Sequence, residues 1–432
     1  MHGFPSASVI IPVWNGRDCM LPCLQAICAQ DYPDSEIVVV DNASPDGAGD
    51  LIAHHYPQVR LLRAPSNLGF SGGCNLGLSA AKGDLLILLN QDTIVSPGWL
   101  RALAETFLAD TTIGIVGCKT LYPDGTIQHA GGMVNIRGEG YHIGAHERDC
   151  GQYDSVTDVD FVTGAALMIA REVYAQVGDL DVGFSPVYYE DVDWCYRVRA
   201  AGFRVVYAPS AVLVHAEHSL ASSMSHEGMY SFHRNRLRFV LKHWSSEELL
   251  QFTAAEQEYL CSVAPGGERL IAALLRSYLY HLLILDDLIQ WRIRLYGSTI
   301  DAVDTLASAL LRLRSTVSLP EDVGPDSISE RTHLIADLHQ LASIQTYPLE
   351  PKAKWGGRIL KALRKWVYDY LTSAYIAPLV QQQTVFNQQV ITALESGLRD
   401  RTRLADVLIE YDLGMRREIS DLGLELRRLQ KD

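Results

Sequence analysis

The chain has 432 residues, 48% of them apolar and 20% charged, and carries a formal net charge of −14. That composition belongs to a folded protein too long for one core, so two or three domains are expected, and the acidic balance argues against bulk nucleic-acid binding. No apolar run reaches the roughly 18 residues of a spanning helix, the N-terminus lacks a secretion-signal layout, and eight cysteines without zinc-type pairing read as free thiols of a reducing cytoplasm.

Strand-like and helix-like stretches alternate along the first half. Ser8–Val13 is a β-branched run, Arg17–Gln30 reads as a helix, and Ile37–Val40 is a second strand ending on Asp41. Asp46–His55 is helical, Arg60–Arg63 a short strand, Gly72–Ala81 a helix, and Leu85–Leu89 a fourth strand. Strand character returns at Ile113–Cys118. Pro123–Tyr153, rich in Gly and Tyr, reads as a long loop with little core of its own, of the kind that is often functional. Phe161–Ala170 and Arg204–His215 complete an α/β unit. Such alternation predicts a mostly parallel sheet covered on both faces. Beyond Trp244 amphipathic helices run to the end, broken at Ser318–Ser327.

The most informative residues are Asn90-Gln91-Asp92, which close the buried run Leu85–Leu89. A strand that stops on polar groups places them at the carboxyl edge of the sheet, where open α/β sheets bind ligands. Asn90 and Asp92, two apart, can face one ligand, and such a pair suits a divalent cation holding a diphosphate. A plain strand end before the Ser96-Pro97-Gly98 turn is the simpler alternative. Asp41 is a second carboxylate at a strand end, with an Asx turn before Ser44 as its alternative role. Trp14 follows the first strand and could stack on a base or be buried.

Asn67–Asn75 reads as a Gly-rich loop between a strand and a helix, whose bare N–H groups at the helix start favour phosphate. A dinucleotide-binding reading fails because that fingerprint belongs after the first strand, where this chain has Val13-Trp14-Asn15. The densest acidic patch is Glu190-Asp191-Val192-Asp193, near a helix start. Dipole compensation would explain the clustering, whereas Asp191 or Glu190 in a partly dry cleft could take a proton from an attacking hydroxyl. Val212–His215 ends a further strand on a histidine able to ligate a metal.

Ser8–Asn15, Val40–Ser44, Asn67–Gly77, Leu89–Thr93, Tyr189–Asp193, Ala208–His215 and Arg234-Asn235-Arg236, in this order, resemble the family-2 glycosyltransferases of GT-A fold, in particular the bacterial rhamnosyltransferase-like branch. The resemblance covers residues 6–244. It implies an inverting transfer from a nucleotide-diphosphate sugar, dTDP-rhamnose or a UDP-sugar, to a hydroxyl of a glycan acceptor, commonly lipid-linked, in surface polysaccharide synthesis. Pro12, Trp14, Asp41, Asn67, Gly72, Asn75, Asn90 and Gln91 would then border the donor, with Trp14 against the base and Asp41 on its imide N–H. Asp92 and His215 would hold Mg²⁺ or Mn²⁺, Asp191 would be the catalytic base, and Glu190, Trp194, His129 and Arg234 would meet the acceptor. Asn90 replaces the first Asp of the common Asp-x-Asp signature, and Gly178–Phe184 departs from the usual Gly-Phe-Asp-Glu. A non-catalytic scaffold and a sugar nucleotidyltransferase are the rival classes; the latter usually opens with a Gly-rich, Arg-containing loop that this chain lacks.

The expected organisation is a catalytic domain over 1–244, a helical domain over 245–350, a basic amphipathic segment over 351–384 and a coiled-coil tail over 385–432. Lys352, Lys354, Arg358, Lys361, Arg364 and Lys365 occur without an acid among them, beside an apolar and aromatic face. A helix of this kind can lie on an anionic membrane surface, as a peripheral protein would, or pack in a bundle. From Ile391 onward a heptad pattern predicts self-association as a homo-oligomer, with Arg401 and Asp412 as polar intrusions in its core.

Overall fold

The computed structural model describes residues 4–217, 226–263, 267–283, 288 and 291–294. They fall in two units, the first running to Leu274 and including Arg294, the second beginning at Leu275. The basic segment and the heptad tail lie outside the described residues. Among the described residues, no helix is long and apolar enough to cross a membrane.

The first unit opens with strands β1 (Ala7–Val13), β2 (Ser35–Asp41), β3 (Arg60–Arg63) and β4 (Leu85–Leu89), separated by helices α1 (Met20–Cys28), α2 (Ala48–His55) and α3 (Gly69–Ala80). Then come β5 (Thr93–Val95), α4 (Trp99–Leu108), β6 (Ile113–Leu121), β7 (Ile127–His129), β8 (Gly132–Val134), β9 (Gly140–His142) and β10 (Thr157–Asp158). β11 (Ala166–Ala170), α5 (Arg171–Val177), α6 (Glu190–Ala200), β12 (Arg204–His215), α7 (His226–His243) and α8 (Ser246–Ser262) follow.

The main sheet runs β10-β12-β6-β11-β4-β1-β2-β3, with β5 on β12 and β7 on β6. β4, β1, β2 and β3 are parallel, and so are β12 and β6; β11 enters antiparallel between β4 and β6. The expected α/β class is what the chain adopts, but the sheet is mixed, with antiparallel pairings at β11, β10, β5 and β7 beside the parallel ones. β4 is buried throughout, as its unbroken apolar run requires. One sheet edge therefore collects the carboxyl ends of β1, β2, β4, β6 and β12 together with the start of β11.

Two expectations change. The Pro123–Tyr153 stretch is not a plain loop: it contains β7 and the β8–β9 hairpin, and Ile127 and His129 are fully buried. Its far end is anchored by buried Lys119, whose Nζ lies 2.9 Å from Asp149 and 2.6 Å from Asp154. The glycine segment is not a loop either, since Gly69–Ala80 is already α3. A Cβ on Gly77 would lie 2.3 Å from Ile10 Cγ2, and one on Gly73 would lie 3.4 Å from Pro12. These glycines let a helix lie close against β1.

The helices after Trp244 also begin differently from the expected boundary. α8, with a full capping box at Ser245 and Glu248, belongs to the first unit. It reaches back through Glu256, which is fully buried and bonded to Arg236 and Arg137.

Candidate active site

At the carboxyl edge, a chain of direct contacts joins residues far apart in sequence. Asp41 ends β2 opposite Val13, and the Asn42 N–H donates to the Val13 carbonyl at 2.8 Å. One oxygen of Asp41 accepts from the Ser44 N–H at 2.9 Å, so the Asx turn exists. The other faces Gly49, where a Cβ would stand 2.0 Å away. Trp14 is half-buried just past β1. Its backbone N–H and carbonyl are both bonded, each at 3.0 Å, by the side-chain amide of Gln91. Gln91 thus positions Trp14, and Gly16 leaves room for it.

Asp92 comes next. Its Oδ1 lies 3.2 Å from His215 Nε2, and both side chains are nearly buried. β12 brings His215 here by pairing it with Thr93. On its other side His215 Nδ1 is 2.8 Å from the Gln128 amide oxygen, and the Gln128 amide nitrogen donates to Glu217 at 3.2 Å. An amide oxygen can only accept, so Nδ1 carries the proton in the neutral ring. The Nε2 lone pair then confronts a carboxylate oxygen. Two acceptors at that distance fit a shared proton or a cation between them, and an outer-shell bond of this kind is how metal-binding histidines are oriented. Among the described residues no cluster of three or more His, Cys, Asp or Glu side chains forms a closed metal site. Asp92 and His215 are thus an open pair rather than a closed site, and a divalent cation bound there would need its remaining positions filled by ligand oxygens.

Asp191 joins through the backbone. The Asn90 N–H donates to the Ala165 carbonyl at 2.9 Å, and next door the Gly164 N–H donates to Asp191 Oδ2 at 2.7 Å. The Val192 N–H holds Oδ1 at 2.8 Å. Burial raises the Asp191 carboxyl above its usual range, against the lowering effect of these two N–H groups. A carboxylate so placed is a stronger base than an exposed one. Glu190 is buried, and its Oε2 has no hydrogen-bond partner among the described residues. Burial, and then the neighbouring Asp191 charge, push it well up, toward the protonated form. Asp193, the third acid, is structural: it is fully buried against Arg197 (2.9 Å), Lys242 (2.5 Å) and His243 (2.8 Å).

The backbone leading to Asp191 is strained. Tyr188 and Tyr189 both have positive φ, 79° and 71°, a conformation costly for bulky residues and common at functional sites. Asn235 secures it: its amide nitrogen lies 2.6, 2.8 and 3.0 Å from the carbonyls of Phe184, Val187 and Tyr188. The Tyr189 hydroxyl donates to the Gly138 carbonyl at 2.8 Å.

Several residues expected to meet donor or acceptor have other roles in this geometry. Asn75 uses its whole amide on the backbone of Leu180, at 2.9 and 3.0 Å, tying α3 to the segment before α6. Asn67 accepts from Asn42 at 3.1 Å and from the Gly69 N–H at 2.8 Å. Gly72 lies inside the first turns of α3, where a Cβ would stand 2.7 Å from that of Leu68. Trp194 is fully buried and donates to the Gly178 carbonyl at 2.9 Å, so it fills the core rather than meeting an acceptor. Arg234 holds the Ser185 carbonyl and the Asn235 side chain. His129 is fully buried. Asn42, Gln128, Asn235 and Gly164 escaped the sequence reading. Asn42 and Asn235 at least lay within strings that carried the resemblance, whereas Gln128 and Gly164 gave no signal.

The glycosyl transferase family 2 model matches residues 8–162. Over 207 residues the chain is 30% identical to the N-acetylglucosaminyl-diphospho-decaprenol L-rhamnosyltransferase of Mycobacterium tuberculosis, covering 42% of this chain and 67% of that one. It is 30% identical over 227 residues to the O-antigen biosynthesis protein RfbC of Myxococcus xanthus, 50% of this chain and 18% of that protein. It is 33% identical over 240 residues to an uncharacterised protein of Sinorhizobium fredii, 52% of this chain and 26% of that one. The matched region thus spans only 18% and 26% of the length of these last two relatives.

Proposed function

Because the chain belongs to glycosyl transferase family 2, we propose that it moves a sugar, with inversion, from a nucleoside-diphosphate donor to a hydroxyl of a glycan acceptor. The observation that carries this reading is the convergence at one sheet edge. The Asp92–His215 pair follows the end of β4, and the backbone of that same end holds the peptide that positions Asp191. Trp14 and Asp41 border the nucleotide side. A bound Mg²⁺ or Mn²⁺ would neutralise charge developing on the departing diphosphate. Asp191 accepts the proton of the attacking hydroxyl, and the Gly164 and Val192 N–H groups fix the direction of its carboxylate.

The relatives support surface-polysaccharide synthesis as the setting. The name of the Mycobacterium relative describes L-rhamnosyl transfer to a lipid-diphosphate-linked sugar. That favours dTDP-rhamnose over UDP-sugars as donor, and a lipid-linked acceptor.

Incubating the purified chain with a panel of nucleotide sugars and either Mg²⁺ or Mn²⁺ tests the proposal. Release of nucleoside diphosphate is expected, and Asp191→Asn should lower transfer by ~10²–10⁴-fold while donor affinity by calorimetry stays put. Release of pyrophosphate would mark a nucleotidyltransferase, and no release from any donor would mark a non-catalytic scaffold.

A further inference from the structure

Beside Asp191, joined to it through the Thr163-Gly164 peptide, stands a pair of histidines that the transfer chemistry above leaves unused. His129 on β7 is fully buried, whereas His142 on β9 is exposed. Their Nδ1 atoms are 2.8 Å apart, and the rings meet edge to face with centroids 4.8 Å apart. The Thr163 N–H lies 3.3 Å from His129 Nε2. The next N–H in the chain, that of Gly164, holds Asp191.

These contacts determine where the protons are. A backbone N–H can only donate, so His129 Nε2 is an acceptor. Burial keeps His129 neutral, driving its basicity well down, so its single proton sits on Nδ1 and is donated to His142 Nδ1. His142 must then accept at Nδ1, and burial by its surroundings lowers its own basicity too. Protonation at Nδ1 would set two donors face to face. His142 is left as a neutral ring whose Nε2 carries a proton in a fixed tautomer. The ring is exposed at the surface, next to the peptide that holds Asp191.

The ring is also held rigidly. Phe161 packs edge-on against it with centroids 5.7 Å apart. A Cβ on Gly132 or Gly140 would stand 2.3 or 3.3 Å from the Phe161 ring, so the hairpin is seated tightly on that ring. Asp191 and His142 lie close enough for each to shift the other's proton affinity. In an inverting displacement the base and the attacking hydroxyl occupy the face of the sugar opposite the leaving group. Groups flanking the base are therefore placed to meet the acceptor.

Resting on the transferase reading, we infer that His142 is an acceptor-binding residue: its Nε2–H donates to an acceptor oxygen beside the hydroxyl that Asp191 deprotonates. His129, through Thr163, is the positioning residue that fixes the tautomer. The ligand class is a polyhydroxylated sugar ring, whose vicinal oxygens supply the required acceptor lone pairs.

The test uses the full chain, the nucleotide sugar found in the donor screen, and soluble alkyl glycosides as acceptors. His142→Ala should raise the glycoside KM about tenfold, the worth of one hydrogen bond. Nucleoside diphosphate release to water, without glycoside, should be unchanged. His142→Gln places an amide N–H near the Nε2 position and should recover most of the loss, and His129→Ala should reproduce part of it. Nitrogen NMR of the wild type at neutral pH should show His142 with its proton on Nε2. An unchanged glycoside KM, equal losses in hydrolysis and transfer, or an Nδ1–H or charged His142 would each overturn the inference. A wild type that releases no nucleoside diphosphate from any donor would instead overturn the transferase reading, an outcome separable from these.

Discussion

The two halves of the main sheet are held together by different physics. Up to Leu108, Asp41 is buried and the Asp92 side chain nearly so, and packing relies on apolar strands and on glycines that let backbone approach backbone. From Ile113 to Ser262 the buried set includes Lys119, Asp181, Glu190, Asp193, Arg197, Arg236, Arg238, Lys242 and Glu256. Asp181 joins Arg238 and Lys242, both at 2.9 Å, and Lys242 also reaches Asp193, so α6 and α7 share one buried ionic cluster. Such clusters contribute little net stability but penalise the loss of any member heavily. The half carrying β1–β4 is built for close approach; the half carrying α6 is built to hold one strained helix start in one place.

The contrast can be broken most directly at Asp193. Asp193→Asn should cost about 3–5 kcal/mol in urea unfolding, because Arg197 and Lys242 lose their shared anion in a dry site. Asp191→Asn, two residues earlier, should leave the midpoint where it is. Comparable losses for both would erase the distinction between the structural and the chemical acid. On the other half, Gly77→Ala forces a methyl group against Ile10 and should cost about 1–3 kcal/mol by thermal melting, with nothing electrostatic involved. A salt-dependent loss there would contradict the assignment.

The smallest effect is graded with pH. Burial, aided by the Arg236 charge, lowers His233 to about 3, and burial also lowers His129 and His243. In the unfolded chain these rings titrate near ~6.5. The folded state therefore binds fewer protons in that window, and stability is lost as pH falls from about 6.5 toward about 3. Asp181 and Asp193 resist burial because cations hold them below the usual carboxylate range. Their contribution disappears only at still lower pH, as it falls through their depressed values. Urea midpoints at pH 7 and pH 5 should differ, and His233→Gln should shrink that difference; a flat profile would show that these rings do not control it.

The same contrast explains what the sequence disclosed. Asp41, Asn90 and Asp92 were legible because each follows an unbroken apolar strand, and strand ends define an edge whatever the distant packing. The β7–β9 region was not, because three-residue strands carry no periodicity and His129 owes its burial to Phe161 and Thr163 contacts thirty residues on. Trp194 and Asp193 could not be told from site residues by type alone: the acids in Glu190–Asp193 look equivalent until the α7 cations reveal which one is neutralised. Nor does an asparagine or glutamine announce that its amide will be used on a backbone, as Asn75 and Gln91 show.

Strand β12 pairs Ala208 with Cys118 and then Val212 with Lys119, advancing four residues while its neighbour advances one. The excess is three, an odd number, so inward and outward positions exchange roles across Pro209 and Ser210. Before this irregularity four consecutive residues, Val205–Ala208, are buried; after it, burial alternates and closes on His215. The kink acts as a phase shifter, and an imidazole that a regular ladder would have turned to the opposite side arrives beside Asp92. The pairing of β12 with β5 and β6 beyond the interruption then holds the imidazole on that face.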